Sequence, residues 1–436
     1  MIRWNDPVEL SAALNRMSYI RLALRVVEEH NEGKVSILML AAFYRRTNVV
    51  HKLLSWDPSP GQVELRGNVY DIHGDLKNDV TALWCALDRG YFELASILID
   101  NGKANIFYGV HNLAWDYFIE TDRLDVLQYL DGKGYVTTKT PGTTNSSYNY
   151  YLDLAASLGH TNIVIYFLSK GNEKDIRSGF CVSSALHRAA ENSHYDCVRV
   201  LCSAGLCPKT EDSNGKTVLR LAAENNHLHI VDFLLEYNYD KASFNELELL
   251  ASSYMVSISL WDEDEQSARM RNLLQHSLIK RLLLNIPKEV AQPIAAYEFQ
   301  TECQSIDEFD QIPQNNIDRL YIEALLIRER ILLPENDETL FPPLVRRGII
   351  LVEQDEFDQC YQLWLHTLHL YQRMELNNDH QNFVWLFCQM LAAGTLISVD
   401  QFLEVAHLIT YSPQKQLTCE YLATAVCLVA IAAKVT

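Results

Sequence analysis

The chain has 436 residues, of which 48% are hydrophobic, and this composition suits two or three folded domains and excludes general disorder. Its formal net charge of −19 argues against nucleic acid and anionic membranes as partners, because neither attracts an acidic surface. Basic peptides or proteins suit this charge better. No run approaches the roughly 18 apolar residues that signal a membrane-spanning helix, and the N-terminus MIRWNDPVEL has no signal-peptide hydrophobic region.

A repeated helical pattern fills the first half of the chain. Its equivalent positions are Leu38, Leu83, Trp115, Leu152, Leu186 and Leu219. The intervals between them are 45, 32, 37, 34 and 33 residues. In the two clearest copies, from Ser184 to Tyr237, a Leu stands three residues before an Ala-Ala pair. A period of about 33 residues with this pattern is typical of ankyrin repeats, in which two short antiparallel helices are joined to a β-turn.

The long first interval predicts an insertion near residues 55–79. A degenerate unit over roughly Asp6–His30 is expected to cap the array. The sequence therefore predicts an ankyrin-repeat array of about seven repeats over residues 1–241, stacked as a solenoid with a concave face.

The ten cysteines are scattered along the chain, which fits reduced thiols in the cytosol or nucleus. One local group consists of Cys181, Cys197, Cys202 and Cys207, with His187 and His194 nearby. The cysteine spacings of 16, 5 and 5 differ from the closely paired cysteines of a zinc site. Because Cys197 and Cys202 fall in an apolar helical run, we expect them to pack in the core. No metal or cofactor is predicted.

Beyond Asp240 the repeat pattern stops, but helical periodicity continues. Residues 242–312 are predicted as a helical linker segment with an acidic break at Trp261–Ser267. Residues 313–436 are predicted as a tetratricopeptide-like helical domain.

Within this last domain, one amphipathic helix is expected to begin near Ile317 and to end before Pro334. The next two helices are expected to form a hairpin that turns at Glu353–Glu356, with Gly348 small enough for a close crossing and Trp364 part of the same hairpin pattern. The predicted fold class is all-α, an ankyrin solenoid followed by this helical domain.

Three segments carry a resemblance to a known family. They are VELRGNVYDIHGDLKNDVTALWCAL in the first half, then EALLIRERIL and RRGIILVEQDEFDQCYQLWLHTLHLYQ in the second. Their order resembles the Fem (feminization) family of ankyrin-repeat substrate receptors of cullin-RING ubiquitin ligases, over roughly residues 35–375. The resemblance implies a non-catalytic adaptor whose ankyrin array holds the C-terminal tail of a target, ending in or near Arg. It also implies a far C-terminus that docks an elongin heterodimer and a cullin.

The resemblance places a peptide-binding site in the insertion and the next repeat. Where the family has Phe-Asp-Gly-Glu, this chain has Ile72-His73-Gly74-Asp75, so His73 replaces the Asp expected to bind Arg. Acidic neighbours could still supply the carboxylates that a guanidinium requires. Thr121 stands where the family has a second Asp. The candidate peptide-binding residues are Asp71, His73, Asp75, Trp84, Asp116, Glu120, Thr121 and Asp122.

Structural roles compete with each of these assignments. Asp71 and Asp75 also suit a solvated turn-forming loop, Trp84 suits the core, and Glu120 and Asp122 suit a helix end in water.

At the C-terminus, Leu422 is followed four residues later by Val426, where an elongin box needs a Cys or small residue. Two functions therefore remain open: a receptor that holds elongin and cullin, and a protein-interaction scaffold without ligase docking. No Gly-rich phosphate loop, H-E-x-x-H or G-x-S-x-G motif supports an enzyme. A cytoplasmic or nuclear location is expected.

Overall fold

The computed structural model describes residues 27–30, 33–57, 59–105, 113–135, 146–170, 183–237, 240–257, 263–376, 381–410 and 431. Residue contacts divide the chain into two compact units, Met1–Val218 and Leu219–Thr436. Both units are built mainly of helices, so the predicted all-α ankyrin fold is confirmed. The finer division at residues 241 and 312 stays a prediction.

Five helix pairs form the described repeats of the first unit. They are α1 (Ile37–Phe43) and α2 (Thr47–Trp56), followed by the single-turn α3 (Pro60–Val63); α4 (Ala82–Asp88) and α5 (Phe92–Asp100); α6 (Leu113–Glu120) and α7 (Leu124–Gly132); α8 (Ser146–Leu158) and α9 (Thr161–Lys170); and α10 (Ser183–Glu191) and α11 (Tyr195–Ser203). The helices of each pair are joined by a turn of two or three residues.

The turn inside each pair contains one residue in the left-handed conformation. In chain order these residues are Arg45, Gly90, Asp122, Gly159 and Ser193, and Asn226 holds the same place in a sixth helix pair, Val218–Glu224 and Leu228–Tyr237. They follow one another at 45, 32, 37, 34 and 33 residues, which are the intervals predicted from the sequence. A left-handed residue lets the next amide reach back to the last carbonyls of a helix. A left-handed residue therefore ends the first helix of each repeat that the structure describes.

Side chains that follow these turns tie each repeat to the preceding one. His160 Nε2 lies 3.3 Å from the carbonyl oxygen of Glu120, and His194 Nε2 lies 2.9 Å from that of Ser157. Arg123 donates in the same way to a carbonyl at the end of α4. The last carbonyls of a helix have no partner within the helix. These side chains supply one across the repeat boundary.

A small antiparallel sheet is the main departure from the helical prediction. Its strands are β1 (Val27–His30), β2 (Gly33–Ser36), β3 (Gly67–Tyr70) and β4 (Leu76–Val80), which pair in the order β1-β2-β3-β4. The predicted insertion is therefore largely a β-hairpin. Its strands have only four or five residues, too few for a clear hydrophobic alternation. Most of the predicted N-terminal cap lies outside the described residues, and its last four residues form β1.

The second unit continues with one more helix pair and then longer helices. They are α12 (Val218–Glu224), α13 (Leu228–Tyr237), α14 (Lys241–Val256), α15 (Glu263–Leu283), α16 (Ile306–Asp310), α17 (Ile317–Leu332), α18 (Phe341–Glu353), α19 (Phe357–Arg373), α20 (Gln381–Ala392) and α21 (Val399–Thr410). Short 3-10 turns occupy Ala295–Tyr297, Leu333–Glu335 and Glu338–Leu340. No helix among the described residues is long and apolar enough to cross a membrane.

The predicted hairpin is present as α18 and α19. α17 ends at Leu332, before Pro334, and the hairpin turns between Glu353 and Phe357. A Cβ placed on Gly348 would lie 2.0 Å from Nε1 of Trp364. The close crossing that the sequence predicted at this glycine is therefore confirmed.

A buried ion network joins three helices of the second unit. Glu248 on α14 is fully buried and accepts hydrogen bonds from Arg281 Nε at 2.7 Å and from Arg330 Nη2 at 2.5 Å. Lys288 Nζ lies 3.7 Å from Glu248 and 2.9 Å from Glu302. Arg330 also donates to Glu302, so the charges form a connected set. A carboxylate buried this deeply needs such partners.

Candidate peptide-binding site

The first three predicted site residues lie on the hairpin of β3 and β4, which we call the first finger (residues 67–80). Asp71 Oδ1 accepts the backbone N–H groups of His73 and Asp75, both at 2.9 Å. The amide of Asp71 donates to the carbonyl of Asp75 at 2.9 Å, and Gly74 has a φ of +90°. Asp71 therefore shapes the turn, whereas the side chain of Asp75 is 74% exposed at its tip.

The same turn recurs near the end of the first unit, in residues 211–217, which we call the second finger. Asp212 Oδ1 accepts the amides of Asn214 and Lys216 at 2.8 and 2.9 Å. The amide of Asp212 donates to the carbonyl of Lys216 at 2.9 Å, and Gly215 has a φ of +70°. Since Asp71 and Asp212 make equivalent bonds, the carboxylate of Asp71 is a turn-forming group of the repeat.

The second oxygen of Asp71 faces a tyrosine that the sequence analysis did not select. The hydroxyl of Tyr117 lies 3.1 Å from Asp71 Oδ2 and 2.6 Å from Asp88 Oδ1. Both aspartates are buried. The single hydroxyl proton serves one carboxylate at a time. Lys77 Nζ, 3.4 Å from Asp71 Oδ2, adds a positive charge on the finger side.

These surroundings push the pKa values of the two carboxyl groups apart. Burial opposes the charge of Asp71, but the amides of Asp75 and His73, the Tyr117 hydroxyl and the charge of Lys77 together outweigh it, so its pKa is lowered. Burial raises the pKa of Asp88; the Tyr117 hydrogen bond opposes this rise, and the charge of Asp71 adds to it. Burial and the two carboxylates also raise the pKa of Tyr117 strongly, so the hydroxyl keeps its proton and acts as a donor.

Trp84 joins this cluster through an aromatic contact. Its ring centroid lies 5.1 Å from that of Tyr117. Its backbone N–H donates to Thr81 Oγ1 at 3.3 Å, at the start of α4. Only 9% of Trp84 is exposed, so most of its side chain packs in the core. The structure thus brings Asp71 and Trp84 together around Tyr117.

Asp116 faces a different neighbour. The hydroxyl of Tyr150 lies 3.4 Å from Asp116 Oδ2, and burial raises the pKa of Asp116. Asp153, which the sequence analysis did not select, follows Leu152 as Asp116 follows Trp115. It accepts a hydrogen bond from Ser184, and burial raises its pKa to about 6. Among the residues that the structure describes, the buried Oδ1 atoms of both aspartates have no hydrogen-bond partner.

Glu120, Thr121 and Asp122 lie together at the end of α6. Asp122 has a φ of 53° and occupies the left-handed position that ends the helix. His160 Nδ1 lies 3.7 Å from Asp122 Oδ1, and Thr121 Oγ1 donates to the carbonyl of Tyr117 at 2.7 Å. The contacts of these three residues are those of a helix terminus.

The cysteine group shows core packing. Cys197 and Cys202 are buried on α11, whereas Cys207 is exposed and Cys181 lies outside the described residues. His187 Nε2 lies 2.9 Å from the carbonyl oxygen of Thr210. No group of three His, Cys, Asp or Glu residues within the described ranges could hold a metal ion.

The helix pairs, their left-handed turns and the fingers define an ankyrin-repeat protein. The family model described as "Ankyrin repeats (3 copies)" matches residues 152–245. The ankyrin repeat domain of Bcl-3 has 21% sequence identity, covers 47% of this chain and 87% of that chain, and gives a TM-score of 0.34.

Within this class, the chain is similar to Fem-1 proteins. It is 29% identical over 167 residues to protein fem-1 homolog CG6966 of Drosophila melanogaster, covering 37% of this chain and 24% of that protein. Protein fem-1 homolog A-like of Mus musculus is 27% identical over 251 residues, with coverages of 49% and 38%. Protein fem-1 homolog C of Homo sapiens is 29% identical over 177 residues, with coverages of 38% and 27%.

The predicted resemblance is confirmed, since the relatives that the chain matches are Fem-1 proteins. Each match spans less than two fifths of the relative's own length.

Proposed function

We propose that the chain is a non-catalytic substrate-recognition adaptor. In this proposal the ankyrin array binds the basic or C-terminal tail of a target protein and presents the target for ubiquitination by a cullin-RING ligase. Similarity to Fem-1 proteins and the ankyrin repeats support a protein-interaction adaptor. The tail, the ligase partners and a cytoplasmic or nuclear location belong to the proposal.

The observation that carries the proposal is the charge arrangement at the first finger. Asp75 presents an exposed carboxylate at the tip, and Asp71 holds a second negative charge beneath it. Next to this buried carboxylate, Trp84 and Tyr117 pack against each other in the core, and Tyr117 helps to hold Asp71 in place. A guanidinium binds best to carboxylates in a partly dehydrated setting. The net charge of −19 favours a basic tail in the same way.

A peptide-binding measurement tests whether the chain binds the tail of a target. A peptide ending in Arg should bind the full chain, and Asp75→Asn should weaken binding about tenfold or more, since a hydrogen bond to a charged group contributes roughly 1.5–3 kcal/mol. Asp75 is preferred to Asp71 because Asp71 holds the turn. Asp196→Asn is the control, as that carboxylate is 66% exposed and lies on α11, outside the residues of both fingers. Equal affinity in both variants would place the site elsewhere.

Co-purification tests whether the chain binds the ligase subunits. The chain would be expressed with an elongin heterodimer and a cullin, and the complex would be separated by size. Stable recovery of this complex would support a role as a ligase receptor. A scaffold without ligase docking is the second candidate, because the similarity covers only 24–38% of the Fem-1 relatives. A folded, monodisperse chain that binds tails but recovers neither partner would favour the scaffold.

A further inference from the structure

The first finger exposes three apolar side chains on one face. Val69 and Asp71 point inward and are 0% and 4% exposed, whereas Tyr70, Ile72 and Leu76 are 44%, 43% and 47% exposed. Tyr70 and Leu76 are register partners across the hairpin, and Ile72 begins the turn between them. We call these three residues, which lie within one short hairpin, the finger face.

The second finger shows that the turn itself does not require this face. Glu211, Ser213 and Thr217 occupy the three equivalent positions, and Glu211 and Thr217 are bridge partners. The two turns have the same aspartate-to-amide hydrogen bonds. Polar residues therefore suffice for folding at these positions. Apolar groups that are exposed together mark an interaction surface more often than a structural need.

We infer that the finger face binds an apolar side chain within a basic, extended tail of a target protein, an inference that rests on the proposed function. Asp75 is 74% exposed beside the face. Lys77 lies 3.4 Å from Asp71 and 3.9 Å from Asp75, so two carboxylates share one cation. The tip keeps a net negative charge. A complementary partner combines a positive charge with an apolar side chain.

Two other occupants fit the finger less well. A second copy of the chain would bring two negative tips together, and an anionic lipid surface would be repelled as well. Strand β4, at the edge of the sheet, carries Lys77 and the left-handed Asp79, with a φ of 59°. A charged edge strand with irregular backbone disfavours pairing with another strand. The partner therefore binds the side chains of the face.

The test uses the full chain and a variant with Ile72→Ser and Leu76→Thr. Both replacements occur in the second finger, so the turn should fold, which thermal unfolding would verify. Ile165→Ser is the matched control, because Ile165 is 47% exposed on α9. The probes are fluorescein-labelled Gly/Ser peptides that end in Arg. In one series a single Leu is scanned along the peptide, and binding is followed by fluorescence anisotropy.

We expect the best Leu peptide to bind the unaltered chain about tenfold more tightly than the Leu-free peptide, as burial of one Leu allows. The double variant should lose this advantage yet keep its affinity for the Leu-free peptide, while Ile165→Ser changes neither. If Leu gives no advantage, or the double variant retains it, the finger inference is overturned and the proposed function stands.

Two further outcomes would also overturn the inference. If no peptide ending in Arg binds, the proposed function fails together with it. If sedimentation shows a dimer of the chain that the double variant abolishes, the face is an interface between copies.

Discussion

The hydroxyl of Tyr117 is shared between two buried carboxylates from different parts of the first unit. It links the turn aspartate of the first finger, Asp71, to Asp88 at the end of α4. Because its pKa is raised, the hydroxyl donates its proton rather than losing it. Without this donor, a charged Asp88 would be buried with one hydrogen bond fewer to stabilise it. Tyr117 therefore positions the finger against the next repeat.

Replacing Tyr117 by Phe tests this role. We expect the free energy of unfolding at neutral pH to fall by about 1–3 kcal/mol, the effect of leaving a buried acceptor unsatisfied. The Tyr117 hydrogen bond opposes the raised pKa of Asp88, so its loss should raise that pKa further, and a carboxyl group with a raised pKa favours folding more as the pH falls. The deficit should therefore shrink as the pH falls from neutrality.

Tyr129→Phe is the control for the Tyr117 variant. The hydroxyl of Tyr129 lies 2.8 Å from Ser96 Oγ, a neutral partner in the preceding repeat. Urea unfolding of both variants across the acidic range gives the comparison. A deficit for Tyr117→Phe that is independent of pH, like that of the control, would contradict the assigned role.

At the scale of elements, the sequence predicted the repeats because every helix pair packs against its neighbours in the same way. A helix pair must bury one face against its neighbours, which fixes the apolar positions and the spacing of the left-handed turns. The strands of the finger lacked such a pattern. In β4 only Val80 is buried, so solvent exposure removed the alternation that would reveal a strand.

The crossing of α18 and α19 gives a prediction at this scale. Gly348→Ala would place a Cβ 2.0 Å from Trp364 Nε1, so the two helices must separate. We expect a loss of about 1–3 kcal/mol, typical of an overpacked core. Gly132→Ala at the end of α7 is the control, because its Cβ would meet nothing within 4 Å. Equal melting temperatures for the two variants would contradict the tight crossing.

The ion network of the second unit provides a pH-dependent prediction. Burial disfavours the charge of Glu248, but Lys288, Arg281 and Arg330 lower its pKa to about 2. Glu248→Gln leaves buried cations without their carboxylate, and we expect a loss of about 3–5 kcal/mol at neutral pH. A carboxyl group with a lowered pKa loses its stabilising effect as the pH falls, here from about 4.5 towards 2. The deficit should shrink across that window.

Glu265→Gln controls for the loss of a carboxylate at the surface. Its ion pair with Arg269 is 2.7 Å long, but the Glu265 side chain is 62% exposed. Such a pair contributes about 0–1 kcal/mol. Denaturant unfolding at several pH values would compare the two variants. A similar small loss in both would show that the network does not stabilise the unit.

For the molecule as a whole, the sequence predicted that some residues of the candidate site are neighbours, but it did not predict the contacts between them. Asp71 and Trp84 do meet, but Tyr117, which connects them, gave no signal beyond being an aromatic residue in a helix. Asp71 resembled a ligand because an acidic loop and an Asx turn have the same composition. The hydrogen bonds that separate these roles depend on backbone geometry, which spacing alone does not reveal.

The charge of the whole chain leads to the final prediction. A net charge of −19 should speed the approach of a basic tail at low salt, because long-range attraction acts before contact. Near 1 M salt the screening length falls to about 3 Å, which confines attraction to direct contacts. We therefore expect the association rate constant of a peptide ending in Arg to fall on the order of tenfold over this range, as measured by stopped-flow fluorescence. The same peptide ending in citrulline lacks the positive charge of Arg, so its association rate constant should change little with salt. An equal fall for both peptides would show that salt acts on the protein itself and not on its attraction for the charged peptide.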